Sequence, residues 1–434
     1  EFQATGGAAA NSGGFRSGGT GTDRSQQDAA HATYTDIVID GADDTKITSA
    51  ADNFAADDVH NLINITSGTG FTTGRYEITA VAAGVATLDR AVGTLSSTGG
   101  NATLGGAIDI WTDAIFDDAN GVLAGNKLHV KNDGTANLSI FSVGKDGTLL
   151  KYITVEGYNT TRGDNPVGAN RPAIAMGGNA FSIDNRWIFS NFIFTTSHAS
   201  GVQIGANSKI VNCKSTNASA SANRDAFKLE SLGGIFRSEA ISTNGEAITF
   251  NLHDIKAVGC YIHDSLTGIN VGGTDSHVIY GCIFDTCTNG VKVTSGSDGS
   301  AVIGNTFYNC TTQIDAGATN DSWTIVNNIF DAGTDGVKWG DADQSMFMDF
   351  NCWDNTTDVT NVVKGDNAVT GDPGLTDPAN GDFTLGSGSN CLDAGLQVGT
   401  DQGVVGNYKV NIGTDQDDVA APFFNRRSDS LLTR

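Results

Sequence analysis

A chain of 434 residues with 56 glycines but only 5 prolines and 8% aromatics can hold two or three domains or one long solenoid, and it suits a turn-rich all-β fold. Acidic residues outnumber basic ones by 49 to 25, and the net charge of -24 argues against nucleic acid or an anionic membrane surface as partner. No run approaches the roughly 18 apolar residues of a membrane span, so membrane insertion is not expected.

Residues 1–33 are rich in Gly, Ala and Ser and read as an N-terminal arm. Such an arm has little apolar surface of its own, so we expect a neighbouring subunit or an assembly lattice to hold it. The start at Glu1 rather than Met is expected of a processed or truncated chain, and export is not read from this end. Residues 34–106 alternate apolar and polar at period two in Asp36–Asp40, Asn61–Ile65, Arg75–Val81 and Val85–Arg90. They predict a small antiparallel β module for docking or multimerisation, or a plain cap. Within 107–126, the stretch 111–123 puts Ile115, Phe116, Ala119 and Val122 on one face and Asp113, Asp117 and Asp118 on the other. It is expected to be a helix capping the open end of the β region that begins at Lys127.

Strands are expected at Lys127–Val130, Leu138–Val143, Tyr152–Glu156, Pro172–Ala175 and Trp187–Phe194, with the long polar loop 157–171 between them. A regular repeat then takes over. Asn191, Cys213, Ser238, Cys260, Cys282, Asn305, Asn328 and Asn351 hold one column, spaced by 22, 25, 22, 22, 23, 23 and 23 residues. Two positions on, Ile262, Phe284, Phe307, Phe330 and Trp353 form an apolar column; Ile269, Val291, Ile314 and Val337 form another. A unit of this length cannot bury its own apolar face and must stack on copies of itself. No line carries a helical period or a regular Leu pattern. The solution is a parallel β-helix over 127–370, about 22–23 residues per turn, with turns about 4.8 Å apart. A closing segment, 371–399, breaks the register with Pro373 and Pro378, and 400–434 reads as a charged C-terminal arm.

The register stacks Cys260 on Cys282 and Cys287 on Cys310. Stacked strands lie farther apart than the roughly 3.5–4.5 Å between Cβ atoms of a disulfide, so these read as small buried thiols. The pairing of Cys352 with Cys391 stays open.

With the stacked turns, Tyr152–Tyr158 followed by NTTRGD, and GDPGLTDPANGDFTLGSGSNCLDAG, residues 111–395 resemble the pectate-lyase-like superfamily of right-handed parallel β-helix proteins. That superfamily includes phage tailspikes and polysaccharide-active proteins. Residues 20–106, with GTDRSQQDA, resemble an N-terminal region of phage-type proteins. The resemblance implies the fold; it does not imply one function, because this fold hosts lyases, hydrolases, adhesins and inert fibres. Lyases of this kind use an Asp cluster holding Ca²⁺ with an Arg base. The galacturonase-type hydrolases use three Asp residues with Gly-His-Gly and Arg-Ile-Lys, and neither tripeptide occurs here.

The register offers two candidate sites. Asp225 and Glu246 stack on adjacent turns beside Arg224, an arrangement that a glycosidase could use as a carboxylate pair, or that could be merely solvated or bind Ca²⁺. His263, Asp285, Tyr308, Asp331 and Asp354 form an exposed column that could bind sugar by ring stacking and carboxylate hydrogen bonds, or be a solvated face. No metal site and no other cofactor is expected. Three functions compete: a non-enzymatic structural subunit of a virion or extracellular assembly (capsid decoration, spike or fibre), a tailspike-type polysaccharide lyase or glycoside hydrolase, and a secreted carbohydrate-binding adhesin. The first is expected, with homo-oligomeric contacts through 1–106 and 400–434 and cell-surface polysaccharide as a further partner.

Overall fold

The computed structural model describes residues 1–396 apart from 17, 110–121, 123, 138–140, 145, 179–180, 223, 295, 318–321 and 341–344. The expected capping helix at 111–123 and the C-terminal arm therefore lie outside the described residues. The fold is all-β: a small antiparallel barrel and a parallel β-solenoid of about 9 turns. Two compact units are formed, one by Glu1–Ala175 with Phe189–Ile193, the other by Met176–Ile188 with the residues from Phe194 onward.

In the first unit, period-two alternation closes into an antiparallel barrel rather than an open module. Its strands are β1 (Ala32–Ile39), β2 (Lys46–Thr48), β3 (Leu62–Ser67), β4 (Gly74–Ala82), β5 (Val85–Leu88) and β6 (Gly100–Leu104), in the order β1-β2-β5-β4-β3-β6. β2 and β6 are not among the strands read from sequence; β2, at three residues, is too short to show alternation. Closure leaves no unpaired edge, and the inward column, including Ile37, Ile47, Ile63, Tyr76 and Ile78, is almost fully buried.

The N-terminal arm is seated on its own chain. Phe2, 2% exposed, bridges Ile108 and Val130. The Asn11 amide donates to the Asp28 and Ala107 carbonyls, and the Arg75 guanidinium donates to Ser12 and Asn11 carbonyls. The glycines serve close approach: a Cβ on Gly21 would sit 2.0 Å from the Val59 carbonyl oxygen. The Glu1 carboxylate is tied to Arg162 of the polar loop at 2.8 and 3.0 Å, and Arg162 also holds Asp23 at 2.6 Å. The first solenoid strands of this unit pair in parallel, Lys127–Lys131 with Ile153–Tyr158 and Thr135–Asn137 with Ala173–Ala175.

In the second unit each turn contributes three short strands to three parallel sheets. One turn is Val278–Tyr280 (first sheet), Ile283–Asp285 (second) and Asn289–Val293 (third); the next is Ala301–Ile303, Thr306–Tyr308 and Thr312–Ala316, in register with it. The corner between first and second sheets is set by a left-handed residue: Gly259, Gly281, Gly304, Asn327 and Phe350 have φ of 61°, 61°, 62°, 59° and 55°. The next residue is the Asn/Cys column. Asn305, Asn328 and Asn351 donate Nδ2 to the carbonyls of Ile279, Val302 and Ile325. Their Oδ1 atoms in turn cap the backbone N–H one turn before, as Asn351 does for Asn328 at 2.9 Å. Cys282 and Cys260 take the same place, and all seven cysteines are buried free thiols.

The aromatic column is the interior stack. Phe284, Phe307, Phe330 and Trp353 lie face to face at 4.5, 5.1 and 4.4 Å between centroids. Glycine in the third sheet makes room for it, since a Cβ on Gly290 would lie 2.7 Å from the Phe307 ring.

Residues 371–396 form a strap over the outer face of the second sheet. Leu375–Asp377 and Asp382–Leu385 make an antiparallel hairpin, and Phe383, 1% exposed, packs on Tyr261 and Tyr308 at 6.3 and 5.8 Å between rings. Cys391 joins Cys352 and Ile329 in a small apolar cluster flanked by Val369, Leu375, Leu385 and Ala394. The strap ends on Asn327, whose side chain holds both the N–H and the carbonyl of Leu396, at 2.7 and 2.6 Å.

Candidate functional site

The two candidate sites lie on different sheets. On the third sheet, Phe227 pairs with Ile248 and the Ala226 N–H donates to the Glu246 carbonyl at 3.0 Å, so Asp225 and Glu246 do stack on adjacent turns. Asp225 accepts a hydrogen bond from Thr249 Oγ1 at 2.7 Å. Burial, with the nearby Glu246 charge, pushes its carboxyl up to about 6, against the pull of the Thr249 bond and of Lys228. The Arg224 Nε is buried and has no hydrogen-bond partner among the described residues, while the Arg224 carbonyl accepts from Ser242 Oγ. A carboxyl held near neutrality beside a second carboxylate is the pattern of an acid paired with a base or nucleophile.

On the second sheet, His263, Asp285, Tyr308, Asp331 and Asp354 form one in-register column. Exposure is where the expectation fails. Only Asp354 is exposed; His263, Asp285 and Tyr308 are half-buried and Asp331 is 8% exposed. The physical reason is the adjoining outward column, where Ile283, Thr306, Ile329 and Cys352 are buried and need a cover that the strap supplies. Burial under it, with the Asp354 and Asp372 charges, pushes the Asp331 carboxyl up to about 6.

Where the column emerges beside the strap, it belongs to a cluster that the sequence reading missed. Glu239 accepts from Lys214 Nζ at 2.7 Å and lies 3.1 Å from His263 Nε2, while His263 Nδ1 is 2.8 Å from Asp264. The Tyr261 ring stacks on His263 at 4.3 Å, and its hydroxyl donates to Asp285 at 2.9 Å. Burial opposes the charge on Glu239, but hydrogen bonds from His263 and Lys214 outweigh it and bring the carboxyl down to about 2. Burial likewise opposes charge on His263, and its bonds to Glu239 and Asp264 outweigh that and raise its pKa. A carboxylate at each ring nitrogen favours the protonated form of His263. The signal for this cluster was in the repeat: Lys214, Glu239 and Tyr261 each follow the Asn/Cys column by one position and pair in register.

Among the described residues no group of three or more His, Cys, Asp or Glu side chains is arranged to hold a metal ion.

The chain is similar in structure to pectate lyase Pel9A, with a TM-score of 0.43 and 13% identity over 67% of this chain and 88% of that one. It is also similar to the ORF18 protein of Geobacillus virus E2, with a TM-score of 0.30 and 16% identity over 56% of this chain and 54% of that one. No family model matches the chain, and no curated protein matches it. At these identities no residue role is carried over from either protein.

Proposed function

We propose that this protein is a non-enzymatic structural subunit of a virion or extracellular assembly, a decoration, spike or fibre component that uses its solenoid as a rigid rod. The supporting observation is the continuity of its axial columns. The stack Phe284–Phe307–Phe330–Trp353 and the hydrogen-bonded ladder Asn305–Asn328–Asn351 repeat turn after turn without a break. Close-packed repeats of this kind resist bending and transmit strain. In this reading residues 1–106 and 400–434 are the parts that meet other subunits, and the protein is a homo-oligomer.

A second reading, cleavage or binding of a polysaccharide, is favoured by one observation: the Asp225 carboxyl near 6 beside Glu246 and Arg224. One experiment separates the two. The whole chain is incubated with a panel of acidic polysaccharides while unsaturated products and new reducing ends are followed, and its mass in solution is measured by light scattering. The structural reading expects a defined oligomer and no product. Product that disappears in Asp225→Asn and Glu246→Gln would replace it with the enzymatic one, and saturable binding without product would replace it with the adhesin.

A further inference from the structure

The strap and the sheet it covers each carry one cysteine at their contact. We propose that Cys352 and Cys391 are a cross-linking site, where an intrachain disulfide locks residues 371–396 onto the second sheet by exchange with a low-molecular-weight disulfide such as oxidised glutathione. Cys352 lies in the strand Cys352–Asp354 and Cys391 in the turn after the strap hairpin. Both are fully buried, and with Ile329 they form one apolar cluster. The Cys352 thiol donates to the carbonyl of Gly371, at the start of the strap, at 3.7 Å. The Cys391 backbone is fixed by its N–H bond to Ser389 Oγ at 3.0 Å, and that hydroxyl donates to the Pro373 carbonyl.

The other thiol pairs are built differently. Cys260 and Cys282 occupy consecutive strand corners of one parallel ladder, and so do Cys287 and Cys310. Backbone bonds hold such neighbours about 4.8 Å apart, beyond the roughly 3.8 Å between Cβ atoms that a disulfide prefers. Cys391 stands in a turn outside every ladder, so closure onto Cys352 disturbs no backbone pairing. Cys391 is carried by the strap and leaves the cluster with it whenever the strap lifts, so Cys391 is the attacking thiol.

The exchange balances. The Cys391 thiolate attacks one sulfur of the small disulfide, its S–S bond breaks, and one thiolate leaves. Cys352 passes its proton to that thiolate and attacks the Cys391 sulfur, expelling the second small thiolate, which takes up the proton that Cys391 had given to solvent. Two protein thiols are oxidised, and one small disulfide is reduced to two thiols.

The test uses the whole chain, reduced, freed of reductant and then incubated with oxidised glutathione. Thiols titrated after denaturation should fall from seven to five. Trypsin should release the segment 339–364 joined to 365–409, with a mass about 2 Da below the sum of the two. Proteolysis inside 371–396 should slow at least tenfold. Cys391→Ser should abolish the cross-link, and Cys260→Ser should leave it intact. The proposal is overturned by a cross-link at Cys260–Cys282 or Cys287–Cys310, or by glutathione adducts without a cross-link. It is equally overturned by seven surviving thiols, provided the incubation is repeated in mild urea that opens the strap.

Discussion

Replacing Phe383 with alanine tests whether the strap is a separately opening cover. Phe383 is 1% exposed and packs on Tyr261 and Tyr308. Deleting a buried phenyl ring costs about 3–5 kcal/mol. A two-stranded hairpin has little stability of its own, so the loss falls on strap docking rather than on the hairpin. The open population should rise by roughly 10²–10³-fold or more, at 1.4 kcal/mol per factor of ten. Native-state hydrogen exchange reads this directly. The Gly386 N–H, bonded to the Gly374 carbonyl at 2.8 Å, should exchange faster by that factor. The Ile329 N–H, bonded to the Asn305 carbonyl inside the ladder at 2.8 Å, should not change. Equal acceleration at both amides would mean that strap and solenoid unfold together, and the idea of a separable cover would be wrong.

Asn328→Ala should destabilise the solenoid by about 2–6 kcal/mol in denaturant titration, because it orphans the buried Asn305 N–H and Nδ2 donors that bond to Asn328 Oδ1. The strap should grip more tightly in acid. The folded Asp331 carboxyl, at about 6, binds its proton more tightly than the unfolded one at 3.8. Stability therefore falls as pH rises from about 4 through about 6 and is flat above, by at most about 3 kcal/mol. Strap proteolysis should be slower at pH 5 than at pH 7.5, and Asp331→Asn should erase the difference. An NMR titration should find His263 still protonated above pH 6.5, and Glu239→Gln should bring its pKa down. The Glu239 interactions run the opposite way, holding above its unfolded value of 4.5 and lost as pH falls towards 2.

The solenoid was legible because each turn repeats the same physical problem. A corner needs a left-handed residue, an orphaned N–H needs an acceptor, and the interior needs an apolar side chain two positions later. Those demands recur at 22–25 residues, so Asn305, Asn328 and Asn351 or Phe284, Phe307 and Phe330 line up in the sequence itself. The barrel was half legible. β3, β4 and β5 alternate over enough residues to be seen, whereas β2 spans only Lys46–Thr48 and becomes a strand through its neighbours β1 and β5. The arm's seat was not legible for a related reason: its glycines carry no side-chain pattern, yet in the fold they allow backbone to lie directly against the barrel, as Gly21 does against Val59.

The strap shows why the candidate sugar-binding stripe was read as exposed. Phe383 meets Tyr261 and Tyr308 across long sequence separations, and no local period records such a contact. A physical sign of it was nonetheless present. Side chains of a strand alternate between faces, so Ile283-Phe284, Ile329-Phe330 and Cys352-Trp353 cannot both point inward. The rings take the interior stack, which leaves Ile283, Ile329 and Cys352 on the outer face. An apolar outer column on three turns of one sheet demands a cover, and the apolar residues of the register-breaking tail, Leu375, Phe383, Leu385 and Cys391, are the ones that supply it. A polar stripe beside such a column cannot be a free binding face while the cover is in place. A ligand of Tyr308 must therefore first displace Phe383.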